Sequence, residues 1–397
     1  MPSKYLAGVP FVILFAACSG SGISSAGQPM DMASDPAVAD ASMAPMFEVD
    51  PLWPKPLPNH WLLGSTIGVS VDSRDHVWII HRGNLANNEQ PAALDPPVAT
   101  ECCFPAPPVL EFDAEGNLVG FWGGPGEGYD WPVSNHGIVV DHMDNVWIGG
   151  NGGGDSHVLK FSRAGDFLMQ VGEAGHVEPN SNADNHFSRV AKIRFDAEAN
   201  EMYLADGYGN KRVAVIDATS GDLKRFWGAY GNVPSDDDLG PYDPSAPPSQ
   251  QFRNPVHCAD PTDDGFVYVC DRPGNRLQAF RKDGTYVDEI VIERNTLGSG
   301  AVWDIAFSPD PNQTFIYLAD GVNEKIHVIR REGLEYIYNF GDGGRYPGQF
   351  FGAHSVETDS RGNLYVTETY EGKRLQKFVY VGMGPAPSGS IGVVWPD

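Results

Sequence analysis

The sequence predicts an all-β protein built as six four-stranded blades around a central channel. Three observations lead there. One hairpin unit returns six times along the 397 residues, and turn formers abound, with 46 glycines and 32 prolines. The long alanine-, leucine- and glutamate-rich runs of helical proteins are missing. Apolar residues make up 41% of the chain, enough for a substantial core.

The repeats are "IGVSVDSRDHVWIIHRG" (67–83), "HGIVVDHMDNVWIGG" (136–150), "AKIRFDAEANEMYLADGYGN" (191–210), "HCADPTDDGFVYVCDRPGN" (257–275), "VWDIAFSPDPNQTFIYLADG" (302–321) and "HSVETDSRGNLYVTETYEG" (354–372). Each joins an alternating strand, through a turn rich in Asp, Asn and Gly, to an aromatic-rich strand ending near an acidic residue. Third and fourth strands follow most units, as in "VLEFDAEGNLVGFWG". The sixth unit has only "RLQKFVYVG", so its outer strand is expected from "MFEVDPLWP" near residue 46. That closure removes the open sheet edges of a linear array. The propeller is set at residues 46–382, with 383–397 as a C-terminal tail. Insertions from Asn84 to Pro108, Glu173 to Asn185 and Ala229 to Gln250 are expected to wall an opening on one face.

Fifty-two acidic residues face 27 basic ones, a net charge of −25 with no basic stripe. A phosphate backbone would be repelled, which excludes nucleic acid as a partner. Residues 1–17 read as a signal peptide, one lysine followed by an apolar run too short to span a bilayer. Ala16, Ala17 and Cys18 resemble a bacterial lipobox, with Phe15 where leucine is usual. Cys18 is then the expected lipidation site and 18–45 a flexible tether. Ser19 lacks the aspartate of inner-membrane retention, so an anchored form is expected at the outer membrane, the alternative being a periplasmic or extracellular protein.

An oxidising compartment permits disulfides. Cys258 and Cys270 face each other across one hairpin and are a candidate pair; Cys102 and Cys103 are adjacent, either a vicinal disulfide or soft metal ligands. Neither pair has the Cys-x-x-Cys spacing of a zinc finger or thioredoxin.

The chemistry collects where the inner strands begin. His136, His257 and His354 open the second, fourth and sixth units, each 14 residues before the end of its second strand at Gly150, Asp271 and Glu368. Alternate blades stand about 120° apart in a six-bladed ring, so three imidazoles can converge on the axis. Three neutral imidazoles with an open fourth position suit a catalytic Zn²⁺. The remaining histidines lack this spacing. The ends of second strands bring Arg82, Tyr208 and Arg272 to the same mouth. Arginine there can grip a carboxylate, unless it pairs with a neighbouring acid such as Asp271. A tyrosine beside Zn²⁺ and two guanidinium groups is expected to have a lowered pKa and to accept a proton.

From Phe47 to Phe378 the chain resembles the lyase domain of peptidyl-α-hydroxyglycine α-amidating lyase, among the NHL-repeat propellers. The resemblance is carried by "HRG" with Arg82, "HGI" with His136, "NHF", "ADGYGNKRV" with Tyr208, "PVHC" with His257, "DRPGNRLQ" with Arg272 and "FGAHSV" with His354. It implies zinc on the three histidines, Tyr208 as base and both arginines on substrate, a small α-hydroxylated amide or peptide-like molecule split into an amide and glyoxylate or a related oxo acid. Three departures stand out. Ser355 occupies the place of the family's aspartate at a structural calcium site, which argues against Ca²⁺. The family's disulfides are lost as pairs, at Ser188 with Gly209 and at Tyr268 with Ala279. No copper monooxygenase domain accompanies the lyase-like region, and the Cys102-Cys103 insertion is foreign to it. The alternatives are a zinc hydrolase or lyase on another small substrate, and a noncatalytic binding propeller.

Overall fold

A single aspartate organises the hairpin turn in three of the repeats. Asp72, Asp141 and Asp359 each accept backbone N–H bonds from residues two and four further on, at 2.8 to 3.1 Å. The same carboxylate accepts from a buried ring six residues on: Trp78 Nε1 at 3.1 Å, Trp147 Nε1 at 3.0 Å and the Tyr365 hydroxyl at 3.0 Å. One side chain thus closes the turn and satisfies the polar atom of a core aromatic. This is why the Asp-to-aromatic spacing recurs in the sequence.

The computed structural model describes residues 42–83, 101–184 and 186–396. The expected signal peptide, Cys18, the tether as far as residue 41 and residues 84–100 of the first insertion lie outside the described residues. The architecture is all-β, with six antiparallel sheets in ring order and no α-helix among the described residues. The inner strands are Thr66–Val71, Asn135–Val140, Val190–Asp196, Val256–Pro261, Asp304–Phe307 and Ala353–Thr358. Their hairpin partners are Val77–His81, Val146–Gly150, Glu201–Asp206, Phe266–Asp271, Phe315–Asp320 and Leu364–Glu368. Met43–Asp50 pairs antiparallel with Arg374–Pro385 and supplies the outer strand of the sixth blade. The N-terminal closure expected from the sequence is present, beginning at Met43.

Two features are additional. Gly389–Ser390, within the expected C-terminal tail, pairs parallel with Glu335–Phe340 and gives the fifth blade a fifth strand. Trp61–Leu62 pairs with Phe104–Pro105 in a short parallel sheet beside the first blade.

The core lies between blades. Trp78, Ile80 and Val109 of the first blade, for example, pack on Ile138, Ile148 and Phe161 of the second. Equivalent clusters fill the other junctions, and that between the fifth and sixth blades also takes in Phe47 and Val394 from near the two ends of the described chain. At the mouth, the last acid of a second strand is buried against an arginine opening the third: Asp206 with Arg212 at 2.9 Å, Asp271 with Arg276 at 2.8 Å and Glu368 with Arg374 at 2.5 Å.

Candidate active site

The inner strands of the even blades are irregular where their histidines stand. Register shifts fall between Asn135 and Ile138, Val256 and Cys258, and Ala353 and Val356. A bulge turns a side chain out of the pleat, and here it turns His136, His257 and His354 onto the axis. One ligand atom from each lies within 4.8 Å of the other two, and all three rings are buried. Ring centroids are 5.2, 4.9 and 4.9 Å apart.

The odd blades fix the orientation of these rings. Nδ1 of His136 donates to Ala191 O at 2.6 Å, that of His257 to Trp303 O at 2.5 Å and that of His354 to Ile67 O at 2.7 Å. Ile67 and Ala191 sit at the matching bulges of the first and third blades, between Thr66 and Gly68 and between Val190 and Lys192. With each Nδ1 proton committed to a carbonyl, each Nε2 is left as a lone-pair donor, the arrangement of metal-ligating histidines. Burial pushes all three imidazoles below their ordinary pKa, with neighbouring cationic groups adding to it; His354 falls to about 3. Neutral rings, convergent donors and held tautomers make this a donor set that fits Zn²⁺.

The sequence also brings Tyr208, Arg82 and Arg272 here. The Tyr208 hydroxyl lies 3.1 Å from His136 Nε2 and 3.0 Å from His257 Nε2, and accepts from Arg272 Nη1 at 2.9 Å. Without a metal, burial holds Tyr208 above its ordinary pKa, with Arg272 and Arg82 pulling the other way. Arg82 donates from Nε to Asn135 O at 3.2 Å and from Nη2 to Asn151 Oδ1 at 2.8 Å. The Arg272 guanidinium stacks 4.5 Å from the Trp303 ring and 5.4 Å from that of Tyr208.

Neither site arginine pairs with a carboxylate among the described residues. Asp271, the candidate partner of Arg272, is bonded instead to Arg276. Asp155, a carboxylate whose charge acts on Arg82, accepts from the N–H groups of Val133, Ser134 and Gly152. In a chain with a large acidic excess, both guanidinium groups at this mouth stand without a carboxylate partner among the described residues.

Sequence reasoning missed three residues. Trp303 stacks on Arg272 and holds His257; its signal was an aromatic at the mouth end of the fifth inner strand, where even blades carry histidine. Asn151 holds Arg82. Arg189 has left-handed backbone (φ 61°), and its carbonyl accepts the Tyr208 N–H at 3.1 Å. Its buried Nε has no hydrogen-bond partner among the described residues. Nothing in "SRVAK" announces that turn.

The structure bonds Cys258 to Cys270 at 2.02 Å as directly opposed residues of one hairpin, and sets the Cys102 and Cys103 sulfurs against each other. The positions of the absent family disulfides are also apposed. Tyr268 pairs with Ala279, and a Cβ on Gly209 would fall against Ser188 Oγ. Other candidate cation clusters are already filled by protein cations. Lys192 Nζ reaches Asp260 Oδ2 at 2.8 Å, Asp304 Oδ1 and Ile305 O at 2.9 Å. The Ser355 hydroxyl donates to Ile67 O at 2.7 Å. Arg163 likewise occupies the Asp72, His76 and Glu111 group.

No family model matches the sequence. The chain is 28% identical to NHL repeat-containing protein 3 of Mus musculus over 250 residues, 60% of this chain and 58% of that protein. It is 23% identical to peptidyl-alpha-hydroxyglycine alpha-amidating lyase 1 of Drosophila melanogaster over 352 residues, 83% of this chain and 59% of that one. The chain thus spans a little under three fifths of the length of these curated relatives. Solved structures similar to it include a streptogramin B lyase, with TM-score 0.47 and 12% identity over 85% of this chain and 98% of that one. Another is an inactive virginiamycin B lyase from Staphylococcus aureus with quinupristin, TM-score 0.46 and 14% identity over 88% and 94%. The six blades make the chain a β-propeller, and the curated proteins it is similar to are an NHL repeat-containing protein and a lyase.

Proposed function

We propose that this chain is a Zn²⁺-dependent lyase that cleaves the C–N bond of an α-hydroxylated amide, the substrate class named in the Drosophila relative. The observation that carries the reading is the convergence of three neutral imidazoles, each fixed by a carbonyl of the next blade, against a tyrosine hydroxyl. Zn²⁺ bound there would supply Lewis-acid polarisation of a substrate oxygen.

The protein's own groups do the rest. Arg82 and Arg272, without acidic partners, hold the substrate carboxylate. Trp303 keeps the Arg272 guanidinium flat against the site wall. Tyr208, acting as phenolate, takes the proton of the carbinol hydroxyl. The C–O pair becomes a carbonyl, the C–N bond breaks and its electrons go to nitrogen, which takes the proton from Tyr208 to give the primary amide and restore the phenolate. The second product is glyoxylate, and no oxidant or reductant is consumed. Arg272 beside the phenol stabilises the ionised form that burial opposes. The Cys258–Cys270 bond fits an oxidising, exported location, and we extend the lipid-anchor expectation at Cys18 as part of this proposal.

The test is zinc content of purified protein, followed by glyoxylate release from N-benzoyl-α-hydroxyglycine by stripped and zinc-restored samples. One zinc per chain with turnover restored by zinc is the expected result. Verified zinc-loaded protein that releases no glyoxylate would overturn the reading.

A further inference from the structure

At the mouth of the site stands a second tyrosine, which the proposed reaction leaves unused. Strand register pairs Glu368 with Ala353 in the sixth blade and Asp206 with Val190 in the third. Tyr370 and Tyr208 are therefore equivalent, each two residues past the end of its second strand. The corresponding positions of the other blades hold Gly83, Gly152, Pro273 and Val322. The third and sixth blades face each other across a six-bladed ring, which sets the two tyrosines on opposite sides of the axis.

Three observations bring Tyr370 to the site. One serine ties its backbone to that of Arg82: Ser65 Oγ donates to Tyr370 O at 3.1 Å, and Ser65 O accepts the Arg82 N–H at 3.0 Å. The Tyr370 ring stands edge-on to Trp303, centroids 6.2 Å apart at 85°, and Trp303 meets the His354 ring at 5.5 Å. The phenol also acts electrostatically on both Arg82 and Tyr208. Its backbone is left-handed (φ 48°), a costly conformation for a bulky side chain. Packing does not repay that cost, because the residue is 53% exposed. Strain of this kind gathers at ligand sites. The Tyr370 hydroxyl has no hydrogen-bond partner among the described residues, whereas that of Tyr208 meets His136, His257 and Arg272. Arg82, committed through Nε and Nη2, keeps Nη1 open beside it.

We propose that Tyr370 is a third substrate-binding residue of the site, donating its hydroxyl to the substrate carboxylate alongside Arg82. The assignment rests on the lyase reading for the identity of the substrate and adds to it a residue and a division of work. A phenol hydroxyl is a neutral donor that strengthens when its acceptor is ionised. It therefore grips a carboxylate without adding charge to a mouth that already holds two guanidinium groups. Tyr370 binds and Tyr208 moves the proton, from opposite sides of the axis.

The probe is N-benzoylglycine, which carries the carboxylate and lacks the reacting hydroxyl, so its binding does not depend on turnover. In calorimetric titration of zinc-loaded protein, Tyr370→Phe should weaken it by at least about tenfold, the loss of one hydrogen bond to a charged group. With N-benzoyl-α-hydroxyglycine the same variant should raise KM by a similar factor and leave kcat within about twofold. Tyr370→Asn, a residue that tolerates left-handed backbone, should bind N-benzoylglycine as weakly as Tyr370→Phe. Unchanged affinity in Tyr370→Phe overturns the assignment, and a lowered urea midpoint beside it would make the residue structural. A loss confined to kcat, or a wild type that does not bind N-benzoylglycine, overturns it as well. Binding that falls with Tyr370→Phe while wild type releases no glyoxylate keeps Tyr370 as a carboxylate ligand and overturns the lyase reading alone.

Discussion

Two arginines four residues apart should respond oppositely to the same substitution. Arg272 and Arg276 are both buried, 8% and 2% exposed. Arg276 is bonded to Asp271 Oδ2 at 2.8 Å, to the Tyr230 hydroxyl at 2.8 Å and to Gln251 O at 3.1 Å. Arg276→Met leaves the fully buried Asp271 carboxylate without its counter-ion, a loss of about 3–5 kcal/mol in folding stability. Arg272 has a neutral hydroxyl at 2.9 Å and a ring face at 4.5 Å instead.

Arg272→Met gives up a charge-assisted bond of about 1.5–3 kcal/mol and a cation–π contact of about 1–2 kcal/mol. It also relieves the several kcal/mol spent desolvating an unpaired cation. The terms nearly cancel, so the expected change is within about 1 kcal/mol of zero. Activity should run the other way. Losing one partner of a buried carboxylate–guanidinium pair costs about 2–5 kcal/mol, a fall of at least about thirtyfold in kcat/KM. Arg276→Met should be active in proportion to the fraction folded. Urea denaturation of both variants with glyoxylate release on the same samples decides it. Equal destabilisation by the two substitutions would make Arg272 a structural residue and refute the carboxylate role.

Tyr208→Phe should lower kcat by about 10²–10⁴-fold with zinc content unchanged, since the proton acceptor goes while the histidines stay; full activity in that variant would remove the base role. His257→Ala should lose metal and turnover together, read by zinc stoichiometry against wild type. Metal-stripped protein should lose stability as pH falls from 6.5 to 5. His81, His136, His257 and His354 all have pKa values depressed by burial, so the unfolded chain binds the extra protons in that window. Each contributes up to about 1.4 kcal/mol per pH unit. Asp304, raised by burial to about 6, runs the other way within this window, and Asp271, Glu324 and Glu368, also raised by burial, offset further, so the net fall is smaller than the four histidines alone would give. An unchanged urea midpoint between pH 6.5 and 5 would contradict this. Cys258→Ser should cost about 3 kcal/mol from the loop its disulfide closes, reproduced by reductant in wild type and absent when reductant is added to the variant.

The architecture was legible because it is repeated. Six copies of a turn–aromatic spacing can be compared with each other, and the three histidines stand out because only alternate copies carry them. Residues that act once were harder. The pairing of Asp271 with Arg276 rather than Arg272 depends on where the third strand begins, a matter of register that "DRPGNRLQ" does not show. Trp303 was visible as an aromatic, but stacking on a guanidinium from another blade is a tertiary fact. The raised pKa of Tyr208 reflects its burial, which no motif reports. The strand at Gly389–Ser390 is two residues of glycine and serine with no alternation, so only the neighbouring sheet edge identifies it.

The division of labour between blades explains how a symmetric ring yields a directional site. At the five bulged mouth positions, a histidine side chain turns inward in the even blades; in the first and third the carbonyl of Ile67 or Ala191 fixes a neighbouring ring, as Trp303 does at the mouth of the fifth. Three near-equivalent imidazoles alone would bind an ion without preferring any approach. The asymmetry comes from the loops that leave the second strands: Tyr208 from the third blade, Arg272 from the fourth and Arg82 from the first. The Tyr208 hydroxyl lies within hydrogen-bond distance of His136 and His257, on the side of the axis those two rings share. On the proposed reading, a substrate carboxylate drawn to the two guanidinium groups would be held on one side of the axis, with its hydroxyl presented to the phenol. The repeated fold builds the three-histidine cluster, and in the proposed lyase the loops that break the repeat would choose the reaction's direction.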